Sequence, residues 1–302
     1  MAFKSGFVAV LGRPNAGKST LVNRLVGHKV AITSVVPQTT RNRIQGIVNR
    51  AGAQIVLLDT PGLHKPGSAL GRQMVKEIAE ALEGIDVLAL VVDATQEFGR
   101  GDRYALERVA QFQGKRFLLL NKIDRIAKPL VLPLIDLYRR ELAFTEVLPL
   151  SALTGDGVDL LLDLLTEHLP EGPPMFPPEQ FTDQPERFLA AEIVREKLLA
   201  RTREEVPHAL AVIVEQFEEG DRLVRIQATI YVEREGQKGI VIGRGGELLK
   251  ATGTEARREL EAILGVKVYL ELRVTVQPDW RDNSRFVRGL DWRHQLEELG
   301  EG

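Results

Sequence analysis

Gly12-Arg13-Pro14-Asn15-Ala16-Gly17-Lys18-Ser19 follows a short β-branched run, Phe7 to Leu11, and opens a stretch of helical periodicity, so it reads as a strand-to-helix turn. It fits G-x-x-x-x-G-K-[ST], a pattern expected by chance roughly once in a hundred chains of this composition. The spacing has a physical reason. Glycines let the backbone curl into a nest of N–H groups facing phosphate, and the helix N-terminus adds a favourable field. Lys18 would reach the β- and γ-phosphates of a nucleotide, and the Ser19 hydroxyl a Mg²⁺ ion. The nucleotide-contacting set expected here is Arg13, Pro14, Asn15, Ala16, Gly17, Lys18, Ser19 and Thr20. A Gly-rich turn with no ligand is the plain alternative.

Working outward, five more β-branched runs alternate with helical patterns up to His168: Arg43 to Asn49, Gln54 to Asp59, Asp86 to Asp93, Arg116 to Asn121 and Glu146 to Leu150. The last four are apolar with little alternation, as expected of parallel strands covered on both faces. Arg43 to Asp59 differs, because the short Arg50-Ala51-Gly52-Ala53 connection can join only antiparallel neighbours. The expected fold is therefore α/β, a mostly parallel sheet with one antiparallel edge strand.

Three further motifs fall at strand C-termini, the edge where open parallel sheets bind ligands. Asp59-Thr60-Pro61-Gly62, with Leu63 next, would hold Mg²⁺ through a carboxylate and offer the Gly62 N–H to the γ-phosphate. Asn121-Lys122-Ile123-Asp124 supplies a carboxylate, Asp124, able to accept from the N1–H and N2–H of guanine, a donor pair that adenine lacks. Ser151-Ala152-Leu153 would offer a backbone amide to guanine O6. Together they select GTP and GDP over ATP. Gln38-Thr39-Thr40-Arg41 adds a threonine whose hydroxyl can reach Mg²⁺ only while a γ-phosphate is present, which would make residues 28–41 a switch. The motif alone leaves Thr39 and Thr40 open, and plain loop solvation is the alternative to both. The expected catalytic set is Lys18, Gly62 and one of these two threonines, and the Mg²⁺ set Ser19, Asp59 and the same threonine.

Between Leu169 and Pro185 six prolines crowd a stretch without apolar period, read as a semi-rigid linker over residues 170–185. A structured loop pinned by Met175, Phe176 and Phe181 is the alternative. Beyond it the order is α-β-β-α-α-β: a helix from Glu186 to Thr202, a hairpin from Ala209 to Glu233, a Gly-rich segment Gly239 to Gly246, a helix Glu247 to Leu264 and a strand Val266 to Val276.

Composition bounds the rest. The 302 residues, 44% hydrophobic and 27% charged, suit two soluble domains. Zero cysteines exclude thiol catalysis and Cys-ligated metal and favour a reducing, cytoplasmic setting. Neither a signal peptide nor a spanning helix is expected, which leaves peripheral contact with the inner face of the cell membrane open. A net charge of −2 gives no global attraction to nucleic acid, so RNA contact must be local.

With these motifs placed, GRPNAGKSTL, PQTTRNRI, DTPGLH and NKID together resemble the translation-factor-related P-loop GTPases, and the resemblance covers nearly the whole chain. In the second half, Gly239-Ile-Val-Ile242-Gly243-Arg244-Gly245-Gly246-Glu-Leu-Leu-Lys250 is similar to the G-x-x-G loop of a type II KH domain, which clamps single-stranded nucleic acid. The expected RNA contacts are Ile240, Ile242, Gly243, Arg244, Gly245, Gly246 and Lys250, with Arg257, Arg258, Arg281, Arg285 and Arg288 nearby. Alone, G-x-x-G is weak evidence. Residues 186–302 carry 19 Lys and Arg against 22 Asp and Glu, so any binding must be focused on a groove.

The resemblance implies domains at 1–169 (GTPase), 186–277 (type II KH) and a tail at 278–302, a monomer, and the 3′ end of small-subunit ribosomal RNA in a maturing small ribosomal subunit as partner. It selects Thr40, the threonine directly before Arg41. It also marks departures: Leu63 stands where many small GTPases carry a water-orienting Gln, which implies slow turnover, and Val35-Val36 replaces polar residues. Asn15 is linked in related GTPases to a K⁺ ion acting in place of an arginine finger. Asp291 to Gly302 runs past the usual end. Two rivals to an RNA-binding switch stand at this point, a GTPase acting on a protein or membrane partner and an RNA-binding module with incidental hydrolysis.

Overall fold

The computed structural model describes residues 2–63 and 66–300. His64 of the DTPGLH motif and the last two residues of the tail lie outside the described residues. By contacts the chain divides into two units, Met1–Lys65 with Met74–Asp183, and Pro66–Gln73 with Gln184–Gly302.

In the first unit the apolar runs become six strands: β1 (Lys4–Gly12), β2 (Ile44–Arg50), β3 (Ala53–Asp59), β4 (Val87–Asp93), β5 (Lys115–Asn121) and β6 (Glu146–Pro149). Their order is β2-β3-β1-β4-β5-β6, with β2 antiparallel to β3 and the other pairs parallel. The helices α1 (Lys18–Val26), α2 (Ala69–Ala81), α3 (Arg100–Ala110), α4 (Val131–Glu141) and α5 (Val158–His168) connect them. One core lies under α1 and α5, around Val10, Leu21, Leu57 and Leu161. A second lies under α3 and α4, around Leu11, Leu90, Leu106 and Tyr138. Two-sided burial explains the missing alternation, since every residue of β3 is buried.

The Pro-rich stretch differs from the linker reading. Ile47 N–H donates to Phe181 C=O at 2.9 Å, Thr182 Oγ1 to Gln45 C=O at 2.8 Å and Asn49 Nδ2 to Pro178 C=O at 2.8 Å, so the chain runs as a strap along edge strand β2. Its start is tied to β1, with Ser5 N–H donating to Pro170 C=O at 3.1 Å. Phe181 stacks on His28 with ring centroids 4.5 Å apart. The physical reason is the open edge: unpaired N–H and C=O groups of β2 need partners, and proline, which lacks an N–H, can still supply carbonyls.

In the second unit α6 (Glu186–Arg201), β7 (Ala211–Glu218), β8 (Leu223–Val232), α8 (Glu235–Ile242), α9 (Glu247–Leu264) and β9 (Lys267–Val276) follow the expected order, with one short added helix, α7 (Val206–Ala209). The sheet runs β7-β8-β9, with β7 antiparallel and β9 parallel to β8. Residues beyond β9 form α10 (Ser284–Arg288) and α11 (Trp292–Gly300). They belong to this core rather than to a separate tail. Trp280 is fully buried and its Nε1–H donates to Ala209 C=O at 2.8 Å, while Trp292 packs near Phe188 of α6.

Candidate functional site

The P-loop is shaped by backbone that side chains would obstruct. At Gly17, φ is +93° and a Cβ would lie 2.2 Å from Asn121 Nδ2. That closeness is used, because Asn121 Nδ2 donates to Ala16 C=O at 2.8 Å while its Oδ1 accepts from Ala152 N–H at 2.9 Å. Asn121 thus ties the P-loop to the loop after β6. Lys122 extends the same bracing, its Nζ donating to Asn15 C=O at 2.7 Å and meeting Asp93 Oδ2 at 2.6 Å. Asp93 is held below the usual carboxylate range: burial opposes this, but the Lys122 ammonium and the Thr95 hydroxyl and amide outweigh it.

The loops after β1, β3, β4 and β5 surround a cavity of about 630 Å³ lined by Asn15, Lys18, Ser19, Thr40, Gly62 and Lys122 among others. In it three oxygen ligands for a hard cation converge. Ser19 Oγ is 2.6 Å from Asp59 Oδ2, and the Thr40 hydroxyl is 2.8 Å from Ser19 Oγ and 3.5 Å from Asp59 Oδ2. Thr39 turns away, its hydroxyl donating to Val36 C=O at 2.6 Å. Asp59 Oδ1 is buried with no partner among the described residues. A buried carboxylate oxygen left without a donor is costly in water-free surroundings, and beside two hydroxyls it suits Mg²⁺. Burial pushes the Asp59 carboxyl up to about 6, against the pull of Lys18 and of hydrogen bonds from Ser19, Thr40 and the Thr60 backbone. Burial likewise lowers Lys18 from the usual lysine range, with the Asp59 charge opposing. The Lys18 Nζ meanwhile rests on the Arg13 carbonyl at 3.2 Å.

Other expected residues are placed differently. The Thr60 hydroxyl donates to Val10 C=O at 2.8 Å, which turns its side chain into the sheet and away from ligand. Arg13 points its guanidinium at Asp102, 2.8 Å away. Ser151 N–H is engaged by Asp156 C=O at 2.9 Å, so with Ala152 already bonded to Asn121 it is the Leu153 amide that has no partner among the described residues. Asp124 is exposed in a short 3₁₀ turn with Ile123, open to a base. Asn15 is left-handed at φ 62° and its Nδ2 donates to Val35 C=O at 2.7 Å, joining the P-loop to the switch segment. Leu63 is buried in the α3–α4 core, consistent with its having no way to orient water, and Pro61 is buried with it. Residues 93, 95 and 96, which also line the cavity, were signalled only by the position of Asp93 at a strand C-terminus.

In the second unit Gly243 connects α8 to α9 at φ +75°, where a Cβ would sit 2.8 Å from Leu248 Cβ. Arg244, Gly245 and Lys250 are exposed, Ile240 is 49% exposed, and Ile242 and Gly246 are half-buried. Beside the loop, α9 and β9 enclose a groove of about 370 Å³ lined by Gly246, Leu249, Lys250, Gly253, Thr254, Arg257, Leu270 and Leu272. The apolar wall from β9 was not visible in the sequence, since those leucines read simply as core. Arg281 does not join it: both guanidinium arms hold Glu233, at 3.0 and 2.6 Å, and that pairing raises its pKa. Arg285 and Arg288 belong to α10, whose Phe286 packs on Tyr231, a β8 residue that alternates away from the buried Ile230 and Val232.

Residues 7–122 match the family of 50S ribosome-binding GTPases, and residues 205–281 match the KH domain. GTPase Era of Staphylococcus haemolyticus (strain JCSC1435) is 50% identical over 290 residues, 96% of this chain and 97% of that protein. A variant of Aquifex aeolicus Era bound to GDP.AlF4- is similar at 43% identity and a TM-score of 0.91, covering 96% of this chain and 99% of that one. Era in complex with MgGDPNP and nucleotides 1506-1542 of 16S ribosomal RNA is similar at 44% identity, with the same TM-score of 0.91 and the same coverage of 96% and 99%.

Proposed function

The chain belongs to the Era family of GTPases, which bind guanine nucleotide with Mg²⁺, and on that premise we propose that its hydrolysis cycle governs a grip on the 3′ end of small-subunit ribosomal RNA during assembly of the small ribosomal subunit. The observation that carries this reading is the groove of α9 and β9, which opens beside the G-x-x-G loop and offers apolar walls with Lys250 and Arg257 at the rim. Apolar faces accept bases and the cations accept phosphates. The chain acts as a cytoplasmic monomer in this reading.

At the nucleotide, Ser19, Thr40 and Asp59 would hold Mg²⁺, which neutralises charge on the transferring phosphoryl group. Lys18 and the P-loop amides stabilise the same charge. Asp124 reads guanine and Gly62 offers its amide to the γ-phosphate. Thr40, as one of the residues that would hold the ion, would be engaged only while the γ-phosphate is present. Leu63, buried in the core, has no side-chain hydrogen bond with which to orient water, so turnover is slow. Asn15, whose Nδ2 donates to Val35 C=O, has a side-chain oxygen that would serve a K⁺ ion acting in place of an arginine finger. Turnover in KCl should exceed that in NaCl several-fold, and equal kcat in the two salts would remove the ion from the mechanism.

A labelled single-stranded RNA carrying the rRNA 3′ end, titrated with wild type, Gly243→Asp and Arg244→Ala/Lys250→Ala in GTP and in GDP, tests the whole reading. Wild type should bind, with affinity dependent on nucleotide, and both variants should lose about tenfold or more. Undiminished binding by both variants would leave a protein or membrane partner as the better reading. Binding indifferent to nucleotide would reduce the chain to an RNA module.

A further inference from the structure

A second set of buried polar contacts joins the P-loop residue Arg13 to α3 and α4. Asp102, in the first turn of α3, is 4% exposed. Its Oδ2 accepts from Arg13 Nη1 at 2.8 Å and from Gly99 N–H at 2.9 Å. Its Oδ1 accepts from the Tyr138 hydroxyl of α4 at 3.0 Å. Three donors on three elements therefore fix one buried carboxylate. The packing over it is close: a Cβ at Gly101 would fall 2.7 Å from Arg13 Nε, so a larger residue there would make the Arg13 side chain shift. Burial, then the neighbouring Asp102 charge, raises the Tyr138 pKa and keeps its proton in place as donor.

Arg13 is the second residue of the P-loop, and its backbone does work on the other side. The Arg13 carbonyl accepts from Lys18 Nζ at 3.2 Å and from Ala16 N–H at 3.3 Å. A side chain anchored in α3 thus sets a carbonyl that orients the phosphate-binding lysine. We propose that Asp102, with its rotamer locked by Tyr138, is a positioning residue for GTP hydrolysis that acts through Arg13 on Lys18. The inner half of the loop has its own brace, Asn121 Nδ2 on Ala16 C=O, and α1 behind it. With Asn15 C=O held by Lys122 as well, the clamp governs Arg13 and the carbonyl on which Lys18 rests more than the loop amides that hold GDP.

That division sets the test, which contains no RNA and so stands apart from the RNA reading. In the full chain, Asp102→Asn, Arg13→Gln, their double variant and Tyr138→Phe are compared for kcat and KM with GTP, for GDP affinity, and for Tm. The asparagine keeps the shape, accepts from Gly99 N–H with its one oxygen and donates its amide N–H to the Tyr138 hydroxyl, while losing the charge that holds Arg13. Asp102→Asn and Arg13→Gln should each lower kcat about fivefold, with GDP affinity changed less than about twofold, and Tyr138→Phe should lower kcat about twofold. The double variant should be no slower than the slower single, because both remove one linkage. Multiplied losses in the double variant would overturn the proposal, as would a Tm decrease with unchanged kcat or a loss of GDP affinity as large as the loss of turnover.

Discussion

Asp59 is buried beside Lys18 with its carboxyl pushed up to about 6, the opposite of what a salt-bridged surface carboxylate shows. The folded, metal-free protein therefore takes a proton there more readily than the unfolded chain does. The Asp59 contribution to stability is fully present below the unfolded pKa near 4 and is lost as pH rises to about 6, a swing of roughly 3 kcal/mol at most. In nucleotide-free protein, Asp59→Asn should melt above wild type at pH 7, with the gap shrinking by pH 5. A gap independent of pH would contradict the assignment. Mg²⁺ inverts the sign, since a ligand must be deprotonated to bind it. At this scale the sequence told residue types better than directions. Asp59 could be picked because chemistry limits what a hard cation accepts, and Thr40 over Thr39 only by the family resemblance, but Thr60 and Arg281 look alike in a string whether they face ligand or sheet. Their partners, Val10 and Glu233, lie 50 and 48 residues away.

Among elements, the strands of the first unit were legible because burial on both faces writes itself as unbroken apolar runs. The turn after β2 was equally legible, as only antiparallel neighbours accept so short a connection. The strap was not. Proline-rich composition looks the same in a free linker and in a segment laid along a strand, and the deciding fact is the unmet hydrogen bonding of β2, which belongs to another part of the chain. Phe181, stacked on His28 and packed against the α1 core, is one apolar anchor of the strap, with Phe176 a second on Val56 and Leu58. Phe181→Ala should cost about 1–2 kcal/mol in chemical denaturation, less than a fully buried phenylalanine would. A change within about 0.3 kcal/mol would mean the strap is held without this ring. The residues after β9 taught a similar lesson. The expected tail at 278–302 holds Trp280 and Trp292, both buried, and a tryptophan seldom stays in water when an apolar face is open to it.

For the whole molecule, charge is the informative quantity. A chain with net charge −2 has no long-range pull on RNA, and the groove of the second unit is served chiefly by Lys250 and the neighbouring Arg244, neither of which has an ion-pair partner among the described residues. Few phosphates can then be neutralised. The slope of log Kobs against log[KCl] for single-stranded RNA should be only about −1 to −2, since each phosphate contact on a single strand adds roughly −0.7. A slope steeper than about −4 would point to a larger basic surface than the groove. Affinity must come mainly from base contacts with the apolar walls, so discrimination among RNA sequences should survive salt that would strip a purely electrostatic binder. The strap has a parallel meaning for solubility. An uncovered β2 would present a ready template on which a second molecule could extend the sheet, whereas the strap that pairs with it through Phe181 and Thr182 is rich in prolines that lack the N–H a further strand would need. The stretch that links the two functions thus also serves as a stopper against runaway self-association.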